Sequence, residues 1–266
     1  MAHSDYYAQI DRYAYTNKLS KCSPVTKSFF ALSTLIITVS AQSIVVPIIV
    51  FLIMTALVLQ LAGVKARFYV NLLRYPTFMV ALSCLLIALF PFNAGEALTQ
   101  LAFNGFTWTI SKSAVTLAVN ILFRVEGALS CLFFLVLTTS ITDLSLLLRR
   151  IHVPKALVEI SMLIYRYIFV FLEVAEQMTI AQTMRLGKGG WMKKIRGLAL
   201  LAGNLFIRAL EQAERTFTAM SSRGYDGTIR VLEEFPKSNK VMLVAIVLFE
   251  VLLAVLVFLT LNFGVL

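Results

Sequence analysis

Residues 28–64 read SFFALSTLIITVSAQSIVVPIIVFLIMTALVLQLAGV, and none of the 37 is charged. As one helix the run would be about 55 Å long, nearly twice the roughly 30 Å hydrocarbon core of a bilayer. It therefore reads as two membrane helices folded back on each other. Ser40-Ala41-Gln42-Ser43 supplies the tight turn between them. The first span is expected over about 24–41, with Ser23 as N-cap and Pro24 in the first turn. The second is expected over about 44–63.

Working outward, Lys65, Arg67 and Arg74 form a return loop, and Pro76 opens a third span that ends near Pro91. Residues 92–113 make the one sizeable outer loop. In it Phe103-Asn104-Gly105-Phe106 precedes Trp108 and Ile110, and an Asn-Gly step flanked by alternating apolar residues predicts a β-hairpin. A fourth span follows over about 114–138 and a last one over about 241–261. The expectation is an all-α integral membrane protein with five spans and a small hairpin. Its parts are a four-span domain over 1–138, a cytoplasmic helical domain over 139–239 and a C-terminal span in 240–266.

The chain is 59% hydrophobic with mean hydropathy +0.83, which excludes an ordinary soluble domain. The net charge of +10 invites a nucleic-acid reading, but the charges sort by membrane side. The early segment holds Arg12, Lys18, Lys21 and Lys27, and fifteen of the 24 Lys+Arg lie within 139–240. The loops assigned outside hold only Lys112. This is the positive-inside pattern, so the charge reports topology and no nucleic-acid partner is expected. Five spans then start inside and end outside, which agrees with it. Residues 1–22 read as an interfacial segment, with Tyr6, Tyr7, Tyr13 and Tyr15 suited to the headgroup region. With Asp5 and Asp11 in it, this segment does not read as a signal peptide.

In the basic stretch, Thr142-Asp143 is expected to cap a short helix over 144–150. Pro154 then starts a longer one to about Met184. Its middle is apolar, but Arg166 sits at the centre, and a further crossing would put the basic stretch outside. It is read as a cytoplasmic or interfacial helix with a largely buried surface. Glycines 187, 189 and 190 break it, and a second long helix is expected over 191–222. Phe206, Leu210, Ala213, Phe217 and Met220 make one apolar stripe on that helix. Each long helix ends on an arginine followed closely by glycine: Arg185-Leu186-Gly187 and Ser222-Arg223-Gly224. An arginine fork suits a carboxylate in a partner's groove. It also caps its own helix C-terminus, where the dipole favours a cation. Two such ends on two helices point to docking.

Catalytic equipment is missing. Gly187-Lys188-Gly189-Gly190 lacks the spacing and the Ser/Thr of a P-loop. His3 and His152 lack ligand-spaced partners. Cys22, Cys84 and Cys131 are scattered and make no CxxC. No cofactor, no metal site and no enzymatic activity are expected. Arg124 and Glu126 in the fourth span and Glu250 in the last are either a relay or packing pairs, and packing is the preferred reading. Glu159, Arg166 and Glu173, spaced by seven, share one helix face and read as a structural charge ladder.

Several stretches resemble the CbiQ family, the transmembrane coupling component of cobalt energy-coupling factor transporters. They are Asp11-Arg12-Tyr13-Ala14-Tyr15-Thr16-Asn17-Lys18-Leu19 with Ser23-Pro24-Val25-Thr26-Lys27, then Thr138-Thr139-Ser140-Ile141-Thr142-Asp143-Leu144, and Tyr165-Arg166-Tyr167. Most specific is Leu201-Ala202-Gly203-Asn204-Leu205-Phe206-Ile207-Arg208-Ala209, continuing through Glu214-Arg215 to Ala219-Met220-Ser221-Ser222-Arg223-Gly224-Tyr225-Asp226-Gly227. The resemblance implies two coupling helices that dock on two cytoplasmic CbiO-like ATPase subunits. It also implies a separate CbiM-like membrane subunit that captures the metal, with a CbiN-like small subunit as a further partner. The family's coupling motifs are Ala-Arg-Gly-like. Ser222-Arg223-Gly224 matches with serine for alanine, and Arg185-Leu186-Gly187 departs further, in the form that goes with the cobalt branch.

Three readings follow. The first is a coupling subunit of an ATP-driven cobalt or nickel importer in a prokaryotic plasma membrane. The second is a coupling subunit for vitamin-binding partners. The third, of another class, is an ion-gradient-driven transporter using Arg124, Glu126 and Glu250.

Overall fold

A computed structural model describes residue 9 and residues 11–17, 19, 22–41, 43–89, 97–103, 106–186, 190–227 and 240–263. The helices are α1 (Pro24–Ser40), α2 (Val45–Ala56), α3 (Ala66–Leu89), α4 (Lys112–Thr138), α5 (Ile141–Arg150), α6 (Lys155–Leu186), α7 (Trp191–Ser222) and α8 (Lys240–Phe263). Strands β1 (Ala97–Phe103) and β2 (Phe106–Ser111) pair antiparallel, with Phe103 opposite Phe106. The hairpin therefore lies where the Asn-Gly step predicts it, although Asn104 and Gly105 themselves are outside the described residues. Three helices are long and apolar enough to cross a bilayer: Ala66–Ala88, Ala114–Thr138 and Leu243–Thr260. Pro24–Ser40 and Val45–Leu61 are shorter apolar helices, near the lower limit for spanning. The chain is an all-α membrane protein carrying one small hairpin.

Packing divides it into two units, residues 11–140 with 235–266 and residues 1–10 with 141–234. In the first, α4 is the hub, touching α1, α2 and α3, while α8 packs on α1. Val46, Val50 and Met54 on α2 and Val58 just beyond it are all fully buried, an i,i+4 stripe. Small residues line the other side of that seam. A Cβ on Gly127 would meet Thr38 Cγ2 at 2.9 Å and the Pro47 carbonyl oxygen at 3.0 Å. Close backbone approach replaces the hydrophobic driving force that lipid cannot supply between helices. Phe30 adds edge-on ring contacts to Phe134 of α4 and Phe249 of α8.

Polar groups close the end of this bundle. Lys27 is 1% exposed, and its Nζ donates to the Thr138 carbonyl at 2.7 Å and to the Leu19 carbonyl at 3.2 Å. Asn17 Nδ2 donates to the carbonyls of Ala14 and Leu137. The last carbonyls of α4 lack intrahelical partners, and a cation there also meets the negative end of the helix dipole. The segment before α1 is thus tied down on the end of α4.

Several expectations need correction or refinement. Pro76 does not open the third span but sits inside α3, so Arg67 and Arg74 are helical. Its ring removes one backbone donor, a loss that membrane helices tolerate inside a bundle. The second span is not uniform: Leu57–Leu61 is a π-helical turn, with Ala62 N–H on the Leu57 carbonyl, and Gly63 at φ +71° ends it. Ser23 stands at the N-cap of α1, yet its side chain makes no cap hydrogen bond; Thr142 and Asp143 fall inside α5, which starts at Ile141. Finally, the surface of α6 is not largely buried. Ile160, Ile164, Ile168 and Ile180 are each about half exposed in this chain, with 51%, 56%, 48% and 49% accessible.

Candidate functional site

The second unit holds both arginine ends. α6 and α7 are 32 residues each, so each is about 48 Å long. They touch each other, and α5 packs on α6. No side chain of α7 is buried. Tyr167 of α6 and Thr216 of α7 are joined by a hydroxyl–hydroxyl hydrogen bond, which lowers the Tyr167 phenol below its ordinary pKa. The Tyr225 hydroxyl, just past α7, donates to Glu159 Oε2 at 3.4 Å near the start of α6. Burial first, then the Glu159 carboxylate, pushes the Tyr225 phenol up.

Arg223 is the residue that closes α7. The Gly224 N–H reaches the Ser221 carbonyl, the Tyr225 N–H reaches the Met220 carbonyl, and Gly224 is left-handed at φ +76°. That is a Schellman motif, and it satisfies the Met220 and Ser221 carbonyls through the backbone. The arginine side chain is therefore not needed as a cap and is exposed. The hydroxyl of Ser222, the preceding residue, turns back to the Thr218 carbonyl at 2.9 Å.

Arg185 lies in the last turn of α6, also exposed, and Leu186 is the last helical residue. Gly187 is outside the described residues. Arg185 lines a polar groove of about 570 Å³ with Gln182 on its own helix and Asn204, Arg208 and Glu211 on α7. A second, apolar groove of about 810 Å³ runs between the helices from Ile160 to Ala175 and from Leu205 to Met220. Ala213, Phe217 and Met220 of the predicted stripe line it; Phe206 and Leu210 point elsewhere and are 65% and 53% exposed.

The expected charge ladder is not inside a bundle. Glu159 is buried with Tyr225 beside it, but Arg166 and Glu173 are exposed. Seven residues are about 10.5 Å along a helix, too far for direct pairing. Among the membrane charges, Glu250 accepts from the Ser33 hydroxyl, a tie between α8 and α1. Glu126 is buried on α4 with Thr77 of α3 against its carboxyl, and Arg124 is half-buried on α4. Sequence reasoning missed Lys27, which it counted as one more positive-inside charge.

Among the described residues no group of three or more His, Cys, Asp and Glu could hold a metal ion. Residues 16–234 match the sequence profile of CbiQ, described as cobalt transport protein. The chain belongs to the CbiQ family. An uncharacterised protein of Methanocaldococcus jannaschii is 35% identical over 96% of this chain and 94% of its own length. A putative fused cobalt transport protein CbiMQ of Methanocorpusculum labreanum is 34% identical over 92% of this chain and 41% of its own length. The cobalt transport protein CbiQ of Rhodobacter capsulatus is 31% identical over 62% of this chain and 67% of its own. Membership places the chain among the membrane components of cobalt transport.

Proposed function

We propose that the chain is the transmembrane coupling subunit of an ATP-driven cobalt importer of the energy-coupling-factor type. In this reading it hydrolyses nothing and binds no cobalt. Arg185 and Arg223 dock on two cytoplasmic ATPase subunits, and ATPase closure moves α6 and α7 against a separate metal-binding membrane subunit. The functional division is 1–138, 139–239 and 240–266, with the N-terminus and the middle part cytoplasmic.

One observation carries the reading. Both arginines are exposed at the C-terminal ends of long helices, and at Arg223 the backbone already caps the helix. A cation released from capping is available to a partner's carboxylate. The fused CbiMQ relative supports a CbiM-like partner, since its name joins both proteins in one chain.

Pull-down from membranes tests the proposal. Arg223→Ala should leave the chain folded and weaken ATPase recovery, since truncating a buried charge pair costs about 2–5 kcal/mol. Arg185→Ala/Arg223→Ala should dissociate the complex. Arg223→Lys should rescue only in part, because lysine keeps the charge and loses the fork. A double variant that still holds ATPase and transports cobalt at the wild-type rate sinks the coupling role.

A further inference from the structure

The three most exposed large apolar side chains among the described residues sit at one place. Met184 is 83% exposed, Trp191 77% and Met192 75%. Met184 precedes Arg185 in the last turn of α6, and Trp191 and Met192 open α7. Only residues 187–190 separate the two helix ends, so they lie within about 18 Å of each other. The turn of α7 that carries them faces outward. Gly197 looks at Gln182 of α6, where an added Cβ would meet Gln182 Oε1 at 3.7 Å. At about 100° per residue, Trp191 and Met192 point about 120–140° away from that side.

Charge is as one-sided as apolarity. From Gln177 to Leu210 there is no Asp or Glu, against six cations: Arg185, Lys188, Lys193, Lys194, Arg196 and Arg208. Lys193, Lys194 and Arg196 are exposed around Trp191 and Met192. Three cations in the first two turns oppose the positive end of the α7 dipole, and no acid in the first turn offsets them. That arrangement destabilises a free helix end and is relieved by negative charge from outside. The other end differs. Arg223 has Asp226 three residues away and no large apolar side chain exposed among residues 220–227.

We propose that Met184, Trp191 and Met192, ringed by Lys193, Lys194 and Arg196, form an apolar–basic anchor beside Arg185. The anchor docks into an acid-rimmed, apolar-floored groove of the ATPase partner and holds that partner more tightly than the Arg223 end does. The inference rests on the coupling reading above and adds an inequality between the two ends. Trp, Met and Arg are the residues that interfaces enrich, and a buried tryptophan is a frequent hot spot. The cations supply steering and salt dependence.

The test uses the full chain in detergent with its ATPase subunits, measuring affinity for the wild type, Trp191→Ala/Met192→Ala and Arg223→Ala. The anchor variant should bind about thirtyfold more weakly or worse, and more weakly than Arg223→Ala. Its melting temperature should not move, because both side chains are solvent-exposed in the chain alone. Lys193→Gln/Lys194→Gln/Arg196→Gln should flatten the salt dependence of binding. Wild-type affinity of the anchor variant, alongside dissociation of Arg185→Ala/Arg223→Ala, overturns the anchor and leaves the coupling role standing. Wild-type affinity of the double arginine variant overturns both. A loss absent in detergent, and seen only in nanodiscs containing phosphatidylglycerol and not phosphatidylcholine, assigns the surface to anionic lipid and overturns the anchor.

Discussion

Lys27→Met tests whether a single buried ammonium clamps the membrane bundle. The side chain is 1% exposed and donates to two carbonyls, Thr138 at 2.7 Å and Leu19 at 3.2 Å. Methionine matches its length and apolar stem but donates nothing. Orphaning a buried acceptor costs about 1–3 kcal/mol, and two are orphaned here. Part of that is returned, because a buried ammonium no longer has to be desolvated. A net loss of about 2–4 kcal/mol follows. Cys131 is fully buried and Cys84 nearly so, at 6% exposed, so a thiol-reactive dye reports melting of the bundle. Lys27→Met should melt well below the wild type, while Lys65→Met, at an exposed position, should melt with it. If both variants melt with the wild type, the bonds drawn from Lys27 contribute nothing, and Lys27 is an ordinary positive-inside charge.

Gly127→Ala should lower the melting temperature through overpacking worth about 1–3 kcal/mol, since the new methyl meets Thr38 and the Pro47 backbone at 2.9–3.3 Å; an unchanged melt would mean that the α1–α2–α4 seam is looser than described. Gly224→Ala should cost about 1–2 kcal/mol at φ +76°, and Gly224→Asn less, as compared by the loss of helical signal on heating. For Tyr225 the folded pKa is raised, so the folded state holds the phenolic proton more tightly. Its stabilising contribution is complete below the ordinary value near 10 and is lost as pH rises through the raised value. The absorbance titration at high pH, taken as the difference from Tyr225→Phe, should move downward in Glu159→Gln; no movement would show that Glu159 does not act on Tyr225.

Much of the architecture is legible before any coordinates. The charge-free run 28–64, the Asn104-Gly105 step and the glycine break after Arg185 mark α1, α2, the hairpin and the α6–α7 turn, because each reflects local chemistry. What escapes is tertiary. Lys27 reads as one more cytoplasmic charge until the end of α4 is seen above it. The π-turn at Leu57–Leu61 has no composition of its own, and Pro76 reads as a helix start because the same ring that favours a first turn is tolerated deeper in a membrane helix. At the candidate site the arginines are legible as residue types. Freedom from capping at Arg223 is not, since it depends on the backbone bonds of Gly224 and Tyr225. The apolar length of α6 argues for a buried helix only if this chain itself supplies the cover, and it does not.

The inequality between the two arginine ends also follows from how α7 is braced. Thr216 is bonded to Tyr167 and Tyr225 to Glu159, nine residues apart on one side and eight on the other. The last roughly 9 Å of α7, from Thr216 to Ser222, is therefore held to α6 from both sides, with Arg223 between the two ties. A braced segment passes a push along its length instead of bending. Along its first half α7 meets that helix at Gly197, opposite Gln182, and across a groove lined by Thr179, Gln182 and Thr183 of α6 and Lys193, Lys194 and Arg196 of α7. An end set off from its neighbour by a groove adapts its apolar side chains to a surface and holds on. In the proposed function the gripping end and the pushing end are thus different ends, each with the local structure that its task requires.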